Sequence, residues 1–214
     1  MIVKLLHHTP LWVCSTAIRK CWASEGKSDT EFKVFGSCGY KGTTAIIGEK
    51  DKELIHRIGN KNKHSSTLEH LNYSFDIDGI SRACLQELAR HRHASISVKS
   101  TRYTLKELKN TTNLLLFQVM TGNDYIDVRS TEQLRSVRQL LQEGYSSDQV
   151  KYALPEAYKT SLVWTINARS LQNFLALRTS KSALWEIRDL AKEIFNKLPS
   201  EHTYLFEEFI CVES

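Results

Sequence analysis

The amino-acid sequence predicts an α+β fold, a single domain in which helices surround a mainly antiparallel sheet. Segments with strand-like alternation are separated by helical segments, without the regular β–α–β alternation of a doubly wound sheet. No G-x-G-x-x-G motif or P-loop is present, which argues against a Rossmann fold. The chain has 214 residues, three prolines and nine glycines, and no repeat, low-complexity tract or linker divides it.

The N-terminal part begins with a predicted strand at residues 2–8. Thr9-Pro10 then indicates a helix start, with Thr9 as the N-cap and Pro10 at the first helical position. We expect this helix to reach about Ala23 and a second helix to cover roughly 51–59.

The middle of the chain is predicted to form a strand followed directly by a helix. Residues 69–77 alternate, and four side chains share the apolar face of that strand: Leu71, Tyr73, Phe75 and Ile77. A helix is expected from about Ile80 to His91, and residues 113–119 are interpreted as a further strand.

The C-terminal half is predicted to be mostly helical. Periodicity indicates four helices, at 130–143, 147–153, 170–178 and 182–198. Residues Tyr158 to Ile166 are expected to form a strand between two of these helices.

Composition limits the classes of function. The formal net charge of +5 (29 Lys and Arg against 24 Asp and Glu) suits anionic small molecules or nucleic acid without deciding between them. No apolar run approaches the roughly 18 residues of a membrane span, and the start lacks a secretory apolar core, so we expect a cytoplasmic protein. Five widely spaced cysteines without a C-x-x-C are interpreted as reduced thiols: Cys14, Cys21, Cys38, Cys84 and Cys211.

The segment 90–103, R-H-R-H-A-S-I-S-V-K-S-T-R-Y, is the most informative part of the sequence. It crowds three arginines, two histidines and a lysine among small hydroxyl residues. Like charges at this density repel one another, so folding alone does not favour them. A phosphate-bearing ligand would compensate them, because arginine forks and hydroxyl groups supply suitable donors.

Polar residues interrupt the apolar face of the helix predicted over 80–91. Four residues define that face at about 100° per residue: Ile80, Ala83, Cys84 and Leu88. Glu87 and His91 fall within the same arc, and Arg90 lies at its edge. Burial of such groups is unfavourable unless they are paired or bind a ligand. A satisfied internal polar cluster and a ligand site both explain the pattern, and we favour the site.

The helix predicted at 170–178 repeats this arrangement. Arg178 continues an apolar stripe formed by Leu171, Phe174 and Leu175. It could also extend to the solvent at the helix end, where a cation suits the helix dipole. The opposite side carries polar and apolar residues that are unusual for a solvent-exposed face: Asn167, Arg169, Asn173 and Leu177. This helix is therefore expected to contact protein on one side and a ligand on the other.

Two further motifs are weaker. Residues 64–70, H-S-S-T-L-E-H, contain metal-ligand residue types but lack the H-E-x-x-H spacing. On a strand the adjacent Glu69 and His70 would point to opposite faces, so we predict no metal site. Ser100 has neither the G-x-S-x-G nor the S-x-x-K frame of a nucleophile, and a hydroxyl beside arginines more often binds phosphate.

Several motifs, in order along the chain, resemble those of the flavin-dependent thymidylate synthases. Residues 90–100 are similar to the R-H-R-x7-S signature, and residues 100–103 continue it as S-x-R-Y. Upstream, residues 66–70 resemble T/S-x-x-E-H. Downstream, residues 164–178 resemble W-T-x-N-A-R-S-L-x-N-F-L-x-L-R, and residues 185–187 resemble the W-E-I that follows.

The resemblance implies an enzyme that methylates dUMP at uracil C5 to give dTMP. Methylenetetrahydrofolate would be the one-carbon donor, reduced FAD would supply the hydride, and NADPH would reduce the flavin again. The resemblance also implies a homotetramer with active sites shared between subunits, and no cysteine nucleophile. The cofactor would carry the chemistry while the protein binds, orients and polarises.

The resemblance also implies a role for each matching position. The residues expected to bind FAD are His64, Ser66, Glu69, Arg90, His91, Arg92, His93, Asn167, Arg169, Asn173 and Leu177. The residues expected to bind dUMP are Glu87, Val98, Lys99, Ser100, Thr101, Arg102, Lys151 and Arg178. Ser100 and Arg102 would hold the phosphate, with backbone N–H groups of a 98–102 loop. Arg178 would contact the uracil and stabilise negative charge on it, as the catalytic residue.

Some positions depart from the family pattern. Three differ in residue type: Val98 where Glu is common, Lys151 where Arg is usual, and His93 where an apolar residue is usual. Lys151 keeps the positive charge but loses the guanidinium fork. Glu87 stands where Gln is common, and a carboxylate near phosphate is unfavourable unless an arginine pairs with it. We therefore expect Glu87 to orient Arg90 or His91.

Two alternative functions stay open at this stage. A flavoprotein oxidoreductase without methyl transfer is one, because the departures fall mostly on the dUMP-binding positions. A nucleic-acid-binding module that uses the basic segment 90–106 is the other. The chain has no RNA- or DNA-binding motif and only a modest positive charge, so we expect neither a nucleic-acid nor a membrane partner.

Overall fold

A four-stranded antiparallel sheet forms the centre of the computed structural model, which describes residues 1–36 and 42–211. The strands are β1 (Ile2–His8), β2 (Glu31–Phe35), β3 (Gly42–Ile46), β4 (Asn72–Ser81), β5 (Ala94–Val98) and β6 (Lys159–Asn167). The central sheet has the order β1-β4-β6-β5, and β2 pairs with β3 in a separate antiparallel sheet. This architecture confirms the predicted α+β class with an antiparallel sheet.

The described ranges also contain eight α-helices. They are α1 (Leu11–Cys21), α2 (Glu49–Ile55), α3 (Arg82–Leu88), α4 (Thr101–Thr104), α5 (Asp124–Gln142), α6 (Ser147–Val150), α7 (Ala168–Arg178) and α8 (Trp185–Asn196). A π-helical segment, His56–Lys61, continues α2, and short 3-10 segments include Ser65–His70, Leu105–Asn110, Leu114–Phe117 and Lys151–Ala153. None of the helices in the described ranges is both long enough and apolar enough to cross a membrane.

The main core lies on one face of the central sheet. The predicted alternation in β4 is confirmed, because Tyr73, Phe75 and Ile77 are fully buried. Phe75 lies opposite Trp164 of β6, which is also fully buried. Helices α1, α7 and α8 contribute further buried apolar side chains to this core. Each large side chain buried in this way contributes roughly 1.5–3 kcal/mol.

A second, smaller core stabilises the part of the chain that follows β5. Its buried members are Leu105, Leu108, Leu114, Leu134, Val137, Leu141, Val150, Leu154 and Tyr158. Helix α5 supplies three of them at helical spacing, and the helix begins at Asp124 rather than near residue 130. Asn123 caps that start, since its side chain accepts hydrogen bonds from the backbone N–H groups of Tyr125 and Ile126.

The predicted start of the first helix was wrong by one residue. Pro10 rather than Thr9 holds the cap position, and α1 begins at Leu11 and ends at Cys21. Thr9 instead continues the strand pairing, because its N–H donates to the Asn72 carbonyl and its Oγ1 accepts from the Asn72 N–H. The Thr9 hydroxyl, which the sequence pattern predicted would cap the helix, therefore accepts a hydrogen bond from the start of β4 instead.

The boundaries between β4 and α3 also differ from the prediction. Ile80 belongs to the strand, and α3 runs only from Arg82 to Leu88. Ser81 is its N-cap, with Oγ accepting from the Cys84 N–H at 3.0 Å. His91 therefore follows the helix, although its N–H still donates to the Leu88 carbonyl at 3.1 Å.

The strand predicted at 113–119 was wrong. Leu114–Phe117 is a 3-10 segment whose start is capped by the Asn113 side chain, and only Gln118 forms an isolated bridge, to Tyr158. Strands β2, β3 and β5 were not predicted. The residues of β2 are all exposed, so no alternation between buried and exposed positions marks this strand.

The cysteines of the described residues are free thiols, as expected. Cys14 and Cys84 are buried and Cys21 and Cys211 are exposed, while Cys38 lies outside the described residues. Burial raises the pKa of the Cys14 thiol to about 12, and burial also raises the pKa of Cys84. Neither buried thiol is therefore a ready nucleophile, because nucleophilic attack requires the thiolate.

Candidate functional site

A cavity of about 980 Å³ lies where the chain leaves α3 and where β6 enters α7. Its lining contains most of the residues expected to bind FAD, together with Arg178. The lining residues are Glu69, Arg90, His91, Arg92, His93, Asn167, Arg169, Ser170, Asn173, Leu177, Arg178, Ser182 and Ala183. We call this cavity the arginine pocket.

Strand pairing explains why two distant segments meet at the pocket. Ala94 of β5 pairs with Ile166 of β6, so His93 and Asn167 follow as neighbours at the end of the sheet. Asn167 also caps α7, because its Oδ1 accepts from the Ser170 N–H at 2.9 Å. The predicted helix at 170–178 therefore starts at Ala168, and it presents one face to the core and the other to the pocket.

A buried carboxylate holds the helix that leads into the pocket. Glu186 of α8 is 3% exposed, and it accepts the Ser81 N–H at 2.7 Å and the Ser81 hydroxyl. Ser81 in turn caps α3, so α8 fixes the start of the helix that carries Glu87. The negative charge also suits the positive end of the helix dipole.

Arg178 at the end of α7 is held by three hydrogen bonds. Its Nη1 donates to Glu87 Oε2 at 2.7 Å, its Nη2 to the Glu87 carbonyl at 3.1 Å, and its Nε to His91 Nε2 at 3.0 Å. The Arg178 side chain is 15% exposed and that of Glu87 is 30% exposed. Glu87, His91 and Arg178 thus form one half-buried cluster, which we call the Arg178 cluster.

The imidazole of His91 is neutral in this cluster. Arg178 Nε can only donate, so His91 Nε2 is the acceptor and the ring proton lies on Nδ1. Burial, followed by the positive charge of Arg178, lowers the pKa of His91 to about 4, although the Glu87 carboxylate opposes the shift. The ring also stands edge-on to Phe174, with 5.0 Å between ring centroids.

The other arginines of the pocket are much less constrained. Arg169 Nη1 donates to Glu69 Oε1 at 2.7 Å in an exposed pair. Arg90 is 73% exposed and its Nη1 lies 3.8 Å from Glu87 Oε1, so Glu87 binds Arg178 more closely than Arg90. Arg92 is exposed, and it has no hydrogen bond or ion pair with any other described residue.

The electrostatics of the pocket favour an anion. Four arginines line it, and the cluster and pocket contain only two carboxylates, Glu69 and Glu87. Oxyanions with several acceptor atoms match such guanidinium donors. The cavity volume of about 980 Å³ is at the upper end of the usual range for ligand pockets, which suits a large cofactor.

A second cationic group lies at the other end of β5. Arg102 Nε donates to Asp148 Oδ1 at 2.9 Å, and Lys99 Nζ donates to Glu107 Oε2 at 2.8 Å. Ser100 is the N-cap residue of α4, and Lys151 follows α6, which packs beside α4. The expected 98–102 loop is therefore the end of β5 followed by the first turn of α4. We call these residues the Ser100 group.

Nine expected site residues do not line the arginine pocket: His64, Ser66, Glu87, Val98, Lys99, Ser100, Thr101, Arg102 and Lys151. Glu87 belongs to the Arg178 cluster, and the residues from Lys99 onward belong to the Ser100 group. His64 and Ser66 belong to the segment leading to Glu69, and Val98 is the last residue of β5. Residues Ser65–His70 form a 3-10 turn, so placing Glu69 and His70 on a strand was wrong. Within the described ranges, no three His, Cys, Asp or Glu side chains are grouped to hold a metal ion.

Sequence reasoning missed three pocket-lining residues. Ser170 lies inside the motif at 164–178, which signalled it without singling it out. Ser182 and Ala183 belong to the turn between α7 and α8, where no periodic pattern marks a ligand-facing residue. Their small side chains leave room beside Leu177 and Arg178.

The fold and the pocket together define a class of protein. It is an α+β protein with a cationic cavity at the α3–β5 and β6–α7 junctions, and the size and charge of this cavity suit a large anionic ligand. Residues 4–202 match the family model described as thymidylate synthase complementing protein.

Individual relatives agree with this match over nearly the whole chain. The chain is 57% identical to a flavin-dependent thymidylate synthase of Campylobacter jejuni, across 97% of this chain and 96% of the relative. It is 55% identical to that of Wolinella succinogenes, across 96% of this chain and 97% of the relative. A crystal structure of the Helicobacter pylori enzyme with FAD and dUMP has 49% identity and a TM-score of 0.86, covering 98% of this chain and 99% of that one. The chain belongs to the flavin-dependent thymidylate synthase family.

Proposed function

We propose that this chain methylates dUMP to dTMP, with methylenetetrahydrofolate as carbon donor, FAD as hydride carrier and NADPH as reductant of the flavin. The convergence of segment 90–93 and helix α7 on one cationic cavity is the observation that carries the proposal. The identity with flavin-dependent thymidylate synthases and the FAD and dUMP of the solved relative support it.

The arginine pocket suits FAD. Arg90, Arg92 and Arg169 supply cations for the two phosphates, and Asn167 and Asn173 supply amide groups for hydrogen bonds. Leu177 is 55% exposed within the pocket, so it offers apolar surface for a planar ring. When bound, FAD supplies hydride transfer, which no protein side chain can provide.

The edge of the FAD site is proposed to extend beyond the cavity lining. Ser66 belongs to the same 3-10 turn as Glu69, His64 directly precedes that turn, and Glu69 forms an ion pair with Arg169. We therefore keep both residues as contacts for the more distant parts of the cofactor. His93 is exposed at the pocket, and it replaces a usually apolar contact with an imidazole.

The Ser100 group is proposed to bind the phosphate of dUMP. Its donors are the side chains of Lys99, Ser100, Thr101, Arg102 and Lys151. Arg102 and Lys151 are solvent-accessible cations, and Arg102 has a carboxylate partner, Asp148, that a phosphate would displace. Val98 is 39% exposed beside this group and offers only van der Waals contact to the nucleotide.

Arg178 is proposed as the catalytic residue, acting on the uracil. Three of its five N–H groups are used within the protein, which leaves two for a ligand. A guanidinium held in a fixed position and partly removed from water stabilises negative charge developing on the ring. The neutral His91 ring can donate its Nδ1–H beside it without adding positive charge.

We also propose that the enzyme is a homotetramer in which subunits share active sites. Residues 93 and 99 are separated by a strand, so their Cα atoms lie about 20 Å apart at roughly 3.3 Å per residue. The Ser100 group and the Arg178 cluster occupy these opposite ends of β5. In the tetramer, the Ser100 group of one subunit would lie beside the Arg178 cluster of another, so that a single dUMP contacts both.

The whole chain is proposed to form one synthase domain that acts in the cytoplasm. The family match extends from residue 4 to residue 202, and the four described cysteines are free thiols, which suits a reducing compartment.

The proposed reaction is tested by release of tritium from [5-³H]dUMP. Release that depends on NADPH and methylenetetrahydrofolate is the expected result, and the purified protein should be yellow and lose its flavin absorption on reduction. Flavin reduction without tritium release would identify a flavoprotein oxidoreductase instead. Growth of a thymidine-requiring host that expresses only this chain is the independent test in cells.

A further inference from the structure

Glu87 accepts two hydrogen bonds from Arg178. Its carboxylate accepts Nη1 at 2.7 Å and its backbone carbonyl accepts Nη2 at 3.1 Å. This arrangement ties a residue of α3 to the end of α7, 91 positions later in the chain. The resemblance in sequence placed Glu87 among the nucleotide-binding residues, but the carboxylate already has a partner within the protein.

The charge of Glu87 also argues against direct contact with the nucleotide. Phosphate and an activated uracil are both negative, and a carboxylate beside them is unfavourable unless a cation lies between. Arg178 is in that position, because it contacts Glu87 and also lines the pocket. Arg90, at 3.8 Å from Glu87 and 73% exposed, is too loosely placed to take this role.

The fixed position of Arg178 also determines the tautomer of His91. Because Nε of the guanidinium donates to His91 Nε2, any displacement of Arg178 releases the imidazole to choose its other tautomer. Phe174 limits the tilt of the ring but offers it no hydrogen bond. The proton position on His91 therefore depends on the carboxylate of Glu87 through one intermediate residue.

We propose that Glu87 is a positioning residue that acts through Arg178, fixing the guanidinium and keeping His91 in its Nδ1–H form, and that Glu87 does not bind the nucleotide. This inference rests on the proposed role of Arg178 in the methylation of dUMP. Arg178 is proposed to stabilise charge that develops on the uracil only during the reaction, so its displacement should lower kcat and leave the KM for dUMP nearly unchanged.

The kinetic test compares the flavin-loaded wild type with Glu87→Ala and Glu87→Gln. We expect Glu87→Ala to lower kcat for tritium release roughly 10- to 100-fold, the size expected for a misplaced catalytic group. The KM for dUMP should stay within about twofold. Glu87→Gln keeps an acceptor for Nη1 and should recover a large part of kcat. The control is Glu25→Gln, because Glu25 forms an exposed ion pair with Lys20 elsewhere.

The second test needs no turnover, so it separates this inference from the proposed function. Nitrogen NMR of histidine-labelled protein, assigned by comparison with His91→Asn, reports which ring nitrogen carries the proton. We expect the Nδ1–H form in the wild type and in Glu87→Gln, and loss of that form in Glu87→Ala.

Several outcomes would overturn the inference. A raised KM for dUMP with unchanged kcat would make Glu87 a nucleotide ligand. Unchanged kcat together with an unchanged His91 tautomer in Glu87→Ala would remove the positioning role. Loss of FAD or a large fall in Tm in both Glu87 variants would show a role in folding only. Absence of tritium release from the wild type would instead refute the proposed function, while the tautomer measurement would still decide the role of Glu87.

Discussion

Arg178 and Arg92 line the same cavity, but only Arg178 is fixed by contacts within the protein. Arg178 is mostly buried and uses three of its N–H groups within the protein, whereas Arg92 is exposed and has no such partner among the described residues. A guanidinium already oriented by the fold can stabilise charge without reorganising. An exposed guanidinium can move to meet a phosphate, and its charge is compensated only when the ligand arrives. We therefore propose that Arg178 acts as a fixed electrostatic group and that Arg92 serves to bind the ligand.

The largest expected effect on activity follows from removal of the fixed cation, Arg178. Substituting Arg178→Ala should reduce tritium release from dUMP at least about 100-fold, in line with the removal of a key electrostatic donor. Flavin absorption should persist, because the exposed arginines remain. Arg178→Lys keeps the charge but loses the fork, so its activity should lie in between. Full turnover by Arg178→Ala would contradict the assignment of this residue.

Arg102 provides an intermediate case, since it is exposed but paired with Asp148. Arg102→Gln should raise the KM for dUMP about tenfold, which corresponds to about 1.4 kcal/mol of binding free energy. The matched variant Asp148→Asn releases the arginine and should leave this KM unchanged or lower it. Steady-state kinetics at varied dUMP will check both. An unchanged KM in Arg102→Gln would remove this residue from the phosphate site.

Loss of the unpaired cation, Arg92, should weaken the binding of FAD rather than lower the rate of the reaction. Arg92→Gln is expected to raise the Kd for FAD about tenfold and to reduce the dependence of that Kd on salt. At saturating FAD, kcat should stay within about twofold of the wild type. Fluorescence titration of the flavin-free protein measures the affinity, with Arg129→Gln as an exposed control on α5. A fall in kcat at saturating flavin would erase the distinction between the two arginines.

The smallest expected effect is a change in the pH dependence of stability. His91 has a folded pKa of about 4 against an ordinary value of 6.5, so between these values the unfolded chain binds a proton that the folded chain does not. The contribution of His91 to the free energy of unfolding is therefore complete above pH 6.5 and is lost as the pH falls towards 4. Denaturant titrations should show a flatter dependence over this interval for His91→Asn than for the wild type. Parallel profiles would mean that the histidine titrates normally.

The sequence predicted the ingredients of the Arg178 cluster because helical spacing is a local property. Glu87 and His91 fell on one arc, and Arg178 continued an apolar stripe. Their mutual contacts could not be predicted, since they join α3 to α7, 91 positions later in the chain. This is why Glu87 was expected to orient Arg90 or His91 rather than Arg178.

The fold could be predicted where burial produces a regular alternation of apolar and polar residues along the sequence. Strand β4 was identified from its alternating apolar residues, while β2 was missed because both of its faces are exposed. Strand β5 was missed because it lies inside the basic segment 90–103, where the crowded charges indicated a ligand site and no secondary structure was assigned. In these cases strand pairing, which depends on distant residues, decided the structure.

The carboxylate of Glu186 has a consequence for how the molecule folds. It joins Ser81 to a helix 105 positions later, and the contact between Glu87 and Arg178 spans 91 positions. Contacts of such long range close large loops and are expected to form slowly and late. The cavity therefore exists only once both halves of the chain have docked. Cofactor uptake during refolding should then report completion of the native state, and bound flavin should in turn raise the apparent thermal stability.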